Sequence, residues 1–137
     1  MAQPSPGESA QPACRPGYGG TLPPAPGSAA TARSLVRVAL ATWALEELAD
    51  PTALIVSELM SNAVRHARCD DIAVAIDRTG RRTVRVAVTD SSGVLPVPRA
   101  SGHDDETGRG LALVSALAQS WGIEEHHRGK TVWAVVR

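Results

Sequence analysis

Glu58 and Asn62, four residues apart between Leu54 and Ala67, are hard to explain by packing or solubility alone. The run reads as a helix. Asp50 suits the N-cap, accepting from the free N–H groups of the first turn, and Pro51 suits the first helical position, where its missing donor costs nothing. At about 100° per residue, Leu59, Ala63, Val56, Ala67, Met60 and Val64 fall on one arc, and Ser61, Arg65, Glu58, Asn62 and His66 on the other. A solvated face usually mixes lysine with glutamate. This one holds a carboxylate and an amide at i, i+4, followed one turn later by an arginine and a histidine. With Leu54 and Ile55 apolar above that stripe, the helix should be buried on both faces, with Glu58 and Asn62 lining a pocket.

Asp90 is the second residue of this kind. Ile72-Ala73-Val74-Ala75-Ile76 and Val84-Arg85-Val86-Ala87-Val88 alternate as two strands joined by a turn over Asp77 to Arg82. Period two puts Val84, Val86 and Val88 on one face and carries Asp90 onto that face at the strand end. An acid on the core side of a strand is costly without a partner, so Asp90 needs a donor. From Ser91 to Thr107 the chain has no periodicity, and a loop of that length in a compact domain is usually functional or mobile. It ends at Gly108-Arg109-Gly110-Leu111. The run from Leu111 to Ala118 that follows is apolar nearly all round and must be a buried helix.

Around these positions stands one small domain. The chain has 137 residues, zero formal net charge and an apolar fraction of 43%, enough for a core. Its arginines are scattered and form no basic stripe, which argues against a nucleic-acid partner. Cys14 and Cys69 have neither disulfide-framework nor zinc spacing. No basic segment leads into an apolar run at the N-terminus and no stretch is long enough to span a bilayer, so a cytoplasmic protein with no membrane contact is expected. Residues 1–27 hold seven of the ten prolines and read as a disordered tail, leaving 28–137 as the folded domain. Helix one begins at about Ser28 and carries Val36, Leu40, Trp43 and Glu47 at helical spacing; helix two stops near Ala67 or Arg68. Two closing strands, Trp121 to Glu125 and Thr131 to Val136, turn at His127 to Lys130. The class is α+β: a two-layer sandwich whose mixed, mostly antiparallel sheet is covered on one face by about three helices.

Glu58 and Asn62 on a helix, Asp90 at a strand end and Gly108-Arg109-Gly110 after a long loop resemble, in that order, the GHKL ATPase superfamily with its Bergerat-type fold. The runs Ser57-Glu58-Leu59-Met60-Ser61-Asn62-Ala63-Val64-Arg65-His66-Ala67 and Gly108-Arg109-Gly110-Leu111-Ala112-Leu113-Val114 look most like the bacterial anti-sigma factor serine kinases. The resemblance covers about residues 30–137. It implies ATP and Mg²⁺ as cofactors, with Glu58 as general base or orienter of the attacking oxygen and Asn62 as the metal-holding residue. Arg65 matches a phosphate contact, and His66 either another or a cation at the helix end. Asp90 matches the acid that accepts from the adenine amino group, supported by Thr131. Gly108, Arg109, Gly110 and Leu111 match a phosphate cradle, since glycines let the backbone approach an anion at a helix N-terminus. Phosphoryl transfer consists largely of positioning and charge neutralisation, so such a set is chemically sufficient.

The implied function is an anti-sigma regulatory factor with Mg²⁺-dependent serine/threonine protein kinase activity, whose partners are a sigma factor or an anti-anti-sigma protein and which can form a homodimer. The alternative is a module that uses ATP to sequester a transcription factor without transfer. The family loop after the acid reads Asp-x-Gly-x-Gly. Here Asp90-Ser91-Ser92-Gly93-Val94 brings a single glycine, Gly93, one residue late. Taken singly, each residue also has an ordinary explanation, Glu58 as a solvated helix acid and Asp90 as a turn former. Their joint order favours the nucleotide site.

Overall fold

The computed structural model describes residues 17–66, 71–90, 105–127 and 129–137. In chain order the elements are β1 (Gly17–Leu22), α1 (Ser28–Thr42), a 3₁₀ turn (Glu46–Leu48), α2 (Ala49–His66), β2 (Ile72–Gly80), β3 (Thr83–Asp90), α3 (Asp105–Leu117), β4 (Ser120–His126) and β5 (Gly129–Val136). The strands form one sheet in the order β1-β2-β3-β5-β4, and the sheet expected to be mostly antiparallel is antiparallel at all four pairings. Ile72, Val74, Ile76, Val84, Val86, Val88, Val132, Ala134 and Val136 are buried on one face of the sheet. Val36 and Leu40 of α1, Ile55, Val56, Leu59 and Met60 of α2 and Val114 of α3 complete that core. The two-layer α+β arrangement is thus present, with α2 packed between α1 and α3 and over β3.

The N-terminal boundary needs correcting. Gly17–Leu22, placed by composition inside a disordered tail, pairs along its whole length with β2. A glycine-rich segment has no alternation to read; pairing and packing hold it in place, with the Tyr18 ring 5.5 Å from that of Trp43. Residues 1–16 lie outside the described part.

Helix one is shorter than its spacing suggested. Its end is a Schellman motif: Leu45 N–H donates to the Leu40 carbonyl, Ala44 N–H donates to the Ala41 carbonyl, and Ala44 takes φ 58°. Leu40 and Leu45 are both buried, the apolar contact that accompanies such an end. The chain then passes through the 3₁₀ turn straight into α2, so Asp50 lies in the first turn of that helix instead of capping it. Its carboxylate is exposed and accepts from Arg37 at 3.1 Å. Ile55 is buried as expected, but Leu54 is 43% exposed, so α2 is less enclosed above its polar stripe than its pattern implied. Helix α3 begins at Asp105, inside the stretch read as loop.

Candidate functional site

Residues directly opposite one another in antiparallel strands share a face, so register alone sorts the side chains around Asp90. Asp90 pairs with Ile72 on one side and Lys130 on the other. It therefore continues the helix-covered face of Val84, Val86 and Val88, as the alternation required. Asp90 is 7% exposed, and its carboxylate makes no hydrogen bond or ion pair among the described residues. A buried acid is costly without a donor, and among the described residues none supplies one, so a ligand N–H placed here would offset the burial.

Gly129 shapes the other side of this acid. A Cβ at Gly129 would overlap the Asp90 carbonyl oxygen and stand 3.0 Å from carboxylate Oδ1. The hairpin can bring β5 this close to β3 only because residue 129 has no side chain.

Above the sheet, α2 carries Glu58 half-buried, Asn62 buried and Arg65 exposed. Asn62 and Arg65 are both engaged with neighbouring groups, and Glu58 has no hydrogen bond or ion pair among the described residues. Asn62 sits at the margin of the apolar arc, between the side packed on the sheet and the side bearing Glu58. An amide oxygen there is a hard donor suited to Mg²⁺, which binds through one or two protein groups together with phosphates and water. No group of three His, Cys, Asp or Glu side chains that could cage a metal occurs among the described residues.

The expected phosphate cradle is placed differently. Gly108, Arg109 and Gly110 lie within the first two turns of α3 and not ahead of them, because the helix starts at Asp105. Their side-chain surroundings, like Gly93 and the whole 91–104 segment, lie outside the described residues. Leu111 is half-buried on the same helix, which packs against α2.

Thr131 is not beside Asp90. It pairs with Thr89 and so lies on the opposite face of the sheet, where its hydroxyl is 2.7 Å from that of Thr89 and 2.8 Å from His126 Nε2. Trp133 shares that open face, spread over Gly122, where a Cβ would come within 2.7 Å of the ring, and lies 5.3 Å beneath the Arg85 guanidinium. The residue on the helix-covered face is Lys130, which sequence reading passed over. Counting back by twos from Val136, Ala134 and Val132 would have found it.

Comparison with known proteins shows the family and the fold. The model of the histidine kinase-like ATPase domain matches residues 22–136. An uncharacterised protein of Streptomyces coelicolor is 49% identical over 43 residues, which is 30% of this chain and 41% of that one. Among solved structures, the RsbU and RsbW domains of Rv1364c from Mycobacterium tuberculosis superpose with a TM-score of 0.69 at 27% identity, covering 89% of this chain and 32% of that one. The chain thus spans less than half the length of either protein.

Proposed function

Because this chain belongs to the histidine kinase-like ATPase domain family, and is therefore an ATP-binding domain, we propose that it is an anti-sigma regulatory factor that phosphorylates a serine or threonine of an anti-anti-sigma partner. The observation that carries the reading is the buried Asp90 carboxylate, unpartnered among the described residues, on the face that α2 covers with Glu58 and Asn62. In this reading Asp90 accepts from the 6-amino group of adenine, and Arg65 and the start of α3 around Gly108 to Leu111 contact phosphate. Asn62 would hold Mg²⁺, which supplies charge neutralisation at the phosphates when bound. Glu58 accepts the proton of the partner's hydroxyl as that oxygen bonds to the γ-phosphorus and ADP leaves. The likeness to the chain that holds the RsbU and RsbW domains, together with the anti-sigma kinase-like runs around Glu58 and Gly108, supports a regulatory place of this kind. Thr131, on the other face, takes no direct part.

Calorimetric titration of MgATP into the protein and into Asp90→Asn tests the site. A hydrogen bond to a charged group contributes about 1.5–3 kcal/mol, so the variant should bind roughly tenfold to a hundredfold more weakly. Equal affinity would remove Asp90 from the base pocket. Glu58→Ala should keep MgATP binding and lose phosphate transfer to an anti-anti-sigma protein. Transfer at the parent rate would take Glu58 out of the mechanism.

The second reading, ATP-dependent sequestration without transfer, draws on Asp90-Ser91-Ser92-Gly93, where the second family glycine is missing and the first comes late. Under it, MgATP binds, the regulator is held and no phosphoprotein forms.

A further inference from the structure

Lys130 is the only lysine in a chain with thirteen arginines, and it stands directly across from Asp90. Its parity with Val132, Ala134 and Val136 places it on the helix-covered face, at the same end of the sheet as the buried acid. It is half-buried and makes no hydrogen bond or ion pair with Asp90, with its other cross-strand neighbour Glu125, or with any other described residue. A carboxylate and an ammonium so placed on adjacent strands, with Cβ atoms about 5 Å apart, would normally close on one another. Here both remain unengaged on one rim, one offering acceptors only and the other donors only.

Resting on the nucleotide-site reading above, we propose that Lys130 is the second half of a base-reading pair, donating to N1 of adenine while Asp90 accepts from the 6-amino group. The two contacts fall on neighbouring positions of one edge of the purine. Guanine reverses both, presenting O6 to the carboxylate and N1–H to the ammonium, so the pair selects adenine by attraction and rejects guanine by repulsion. A lysine suits the task, because its ammonium is a compact donor on a flexible stem, whereas arginine is a planar fork better matched to phosphate or carboxylate.

The test is calorimetric titration of the full chain and of Lys130→Met with MgATP and with the magnesium complex of 1-deaza-ATP, in which a C–H replaces N1. The methionine keeps an unbranched apolar stem on the strand while removing the charge. The parent should bind ATP about tenfold to a hundredfold more tightly than 1-deaza-ATP, and Lys130→Met should bind the two alike. A parent that does not distinguish them overturns the proposal, whatever the variant does. So does a variant weakened equally toward both, which would put the ammonium on Asp90 or on phosphate. If the parent fails to bind MgATP at all, the nucleotide site itself is refuted and the base pair falls with it; binding without N1 discrimination refutes only the role of Lys130.

Discussion

Gly129→Ala probes the surroundings of Asp90 without touching an ionisable group. The added methyl carbon would overlap the Asp90 carbonyl oxygen and sit 3.0 Å from its Oδ1. The neighbour on the carbonyl side is backbone, so no rotamer change relieves the clash; β5 must move away from β3 or the end of β3 must tilt. Overpacking of this kind typically costs about 1–3 kcal/mol, which should lower the melting temperature by several degrees for a domain of this size. The effect on ligand binding should be larger than that of an equally destabilising change elsewhere, because the part of the backbone that moves is the part that aims the carboxylate. We expect MgATP affinity to fall about tenfold or more, approaching the loss in Asp90→Asn, while the far-ultraviolet circular dichroism stays native. In Gly129→Ala combined with Asp90→Asn the two losses should not add, since both act through one contact. Full additivity, or a Gly129→Ala variant that binds MgATP like the parent, would refute the claim that this glycine sets the position of Asp90.

Two further predictions concern stability alone. Thr52 is fully buried in the first turns of α2 and its hydroxyl has no hydrogen-bond partner among the described residues, so Thr52→Val should stabilise the fold by about 1 kcal/mol, raising the thermal midpoint by roughly 2–5 °C; a lower midpoint would mean that the hydroxyl is satisfied in solution. Ala44 holds φ 58° in the Schellman end of α1, so Ala44→Gly should gain about 0.5–1 kcal/mol in urea unfolding, the relief of the left-handed conformation exceeding the added entropy of the unfolded chain; a loss would show that the turn relaxes without strain.

Much of the fold was legible because its signals are local and periodic. The alternation of Val84, Val86 and Val88 fixed which face of β3 is core, and with it the burial of Asp90. The arc of Val56, Leu59, Met60 and Ala63 fixed the packing side of α2 and left Glu58 and Asn62 at its margin. The failures arose where tertiary contacts decide. Composition puts Gly17–Leu22 in a tail, yet a glycine-rich strand can be held by a neighbour's backbone and by one aromatic contact, neither of which composition records. The end of α1 was overrun because Trp43 keeps the helical spacing, while the turn is made by Ala44, a residue type without a preference for positive φ. The start of α3 lies earlier than the sequence suggests because Gly108 and Gly110 read as breakers, yet both fall inside the helix.

Thr131 and Lys130 show what period two decides on β5. Family resemblance supplied a threonine near Asp90, and Thr131 is the threonine closest to the β4–β5 turn. Period two says otherwise: Val132, Ala134 and Val136 are core residues, so the even positions of β5 face the helices and Thr131 faces away. Asp90 is an even position on β3, paired with an even position on β5, and a slip of one residue would move both sets to the wrong face. Gly129 makes such a slip costly, since any residue with a side chain brought to that place would meet the Asp90 backbone. The register that buries the valines of β5 is therefore the register that sets a lysine opposite the acid. The hydroxyl of Thr131 is instead occupied by Thr89 and His126 on the far side of the sheet.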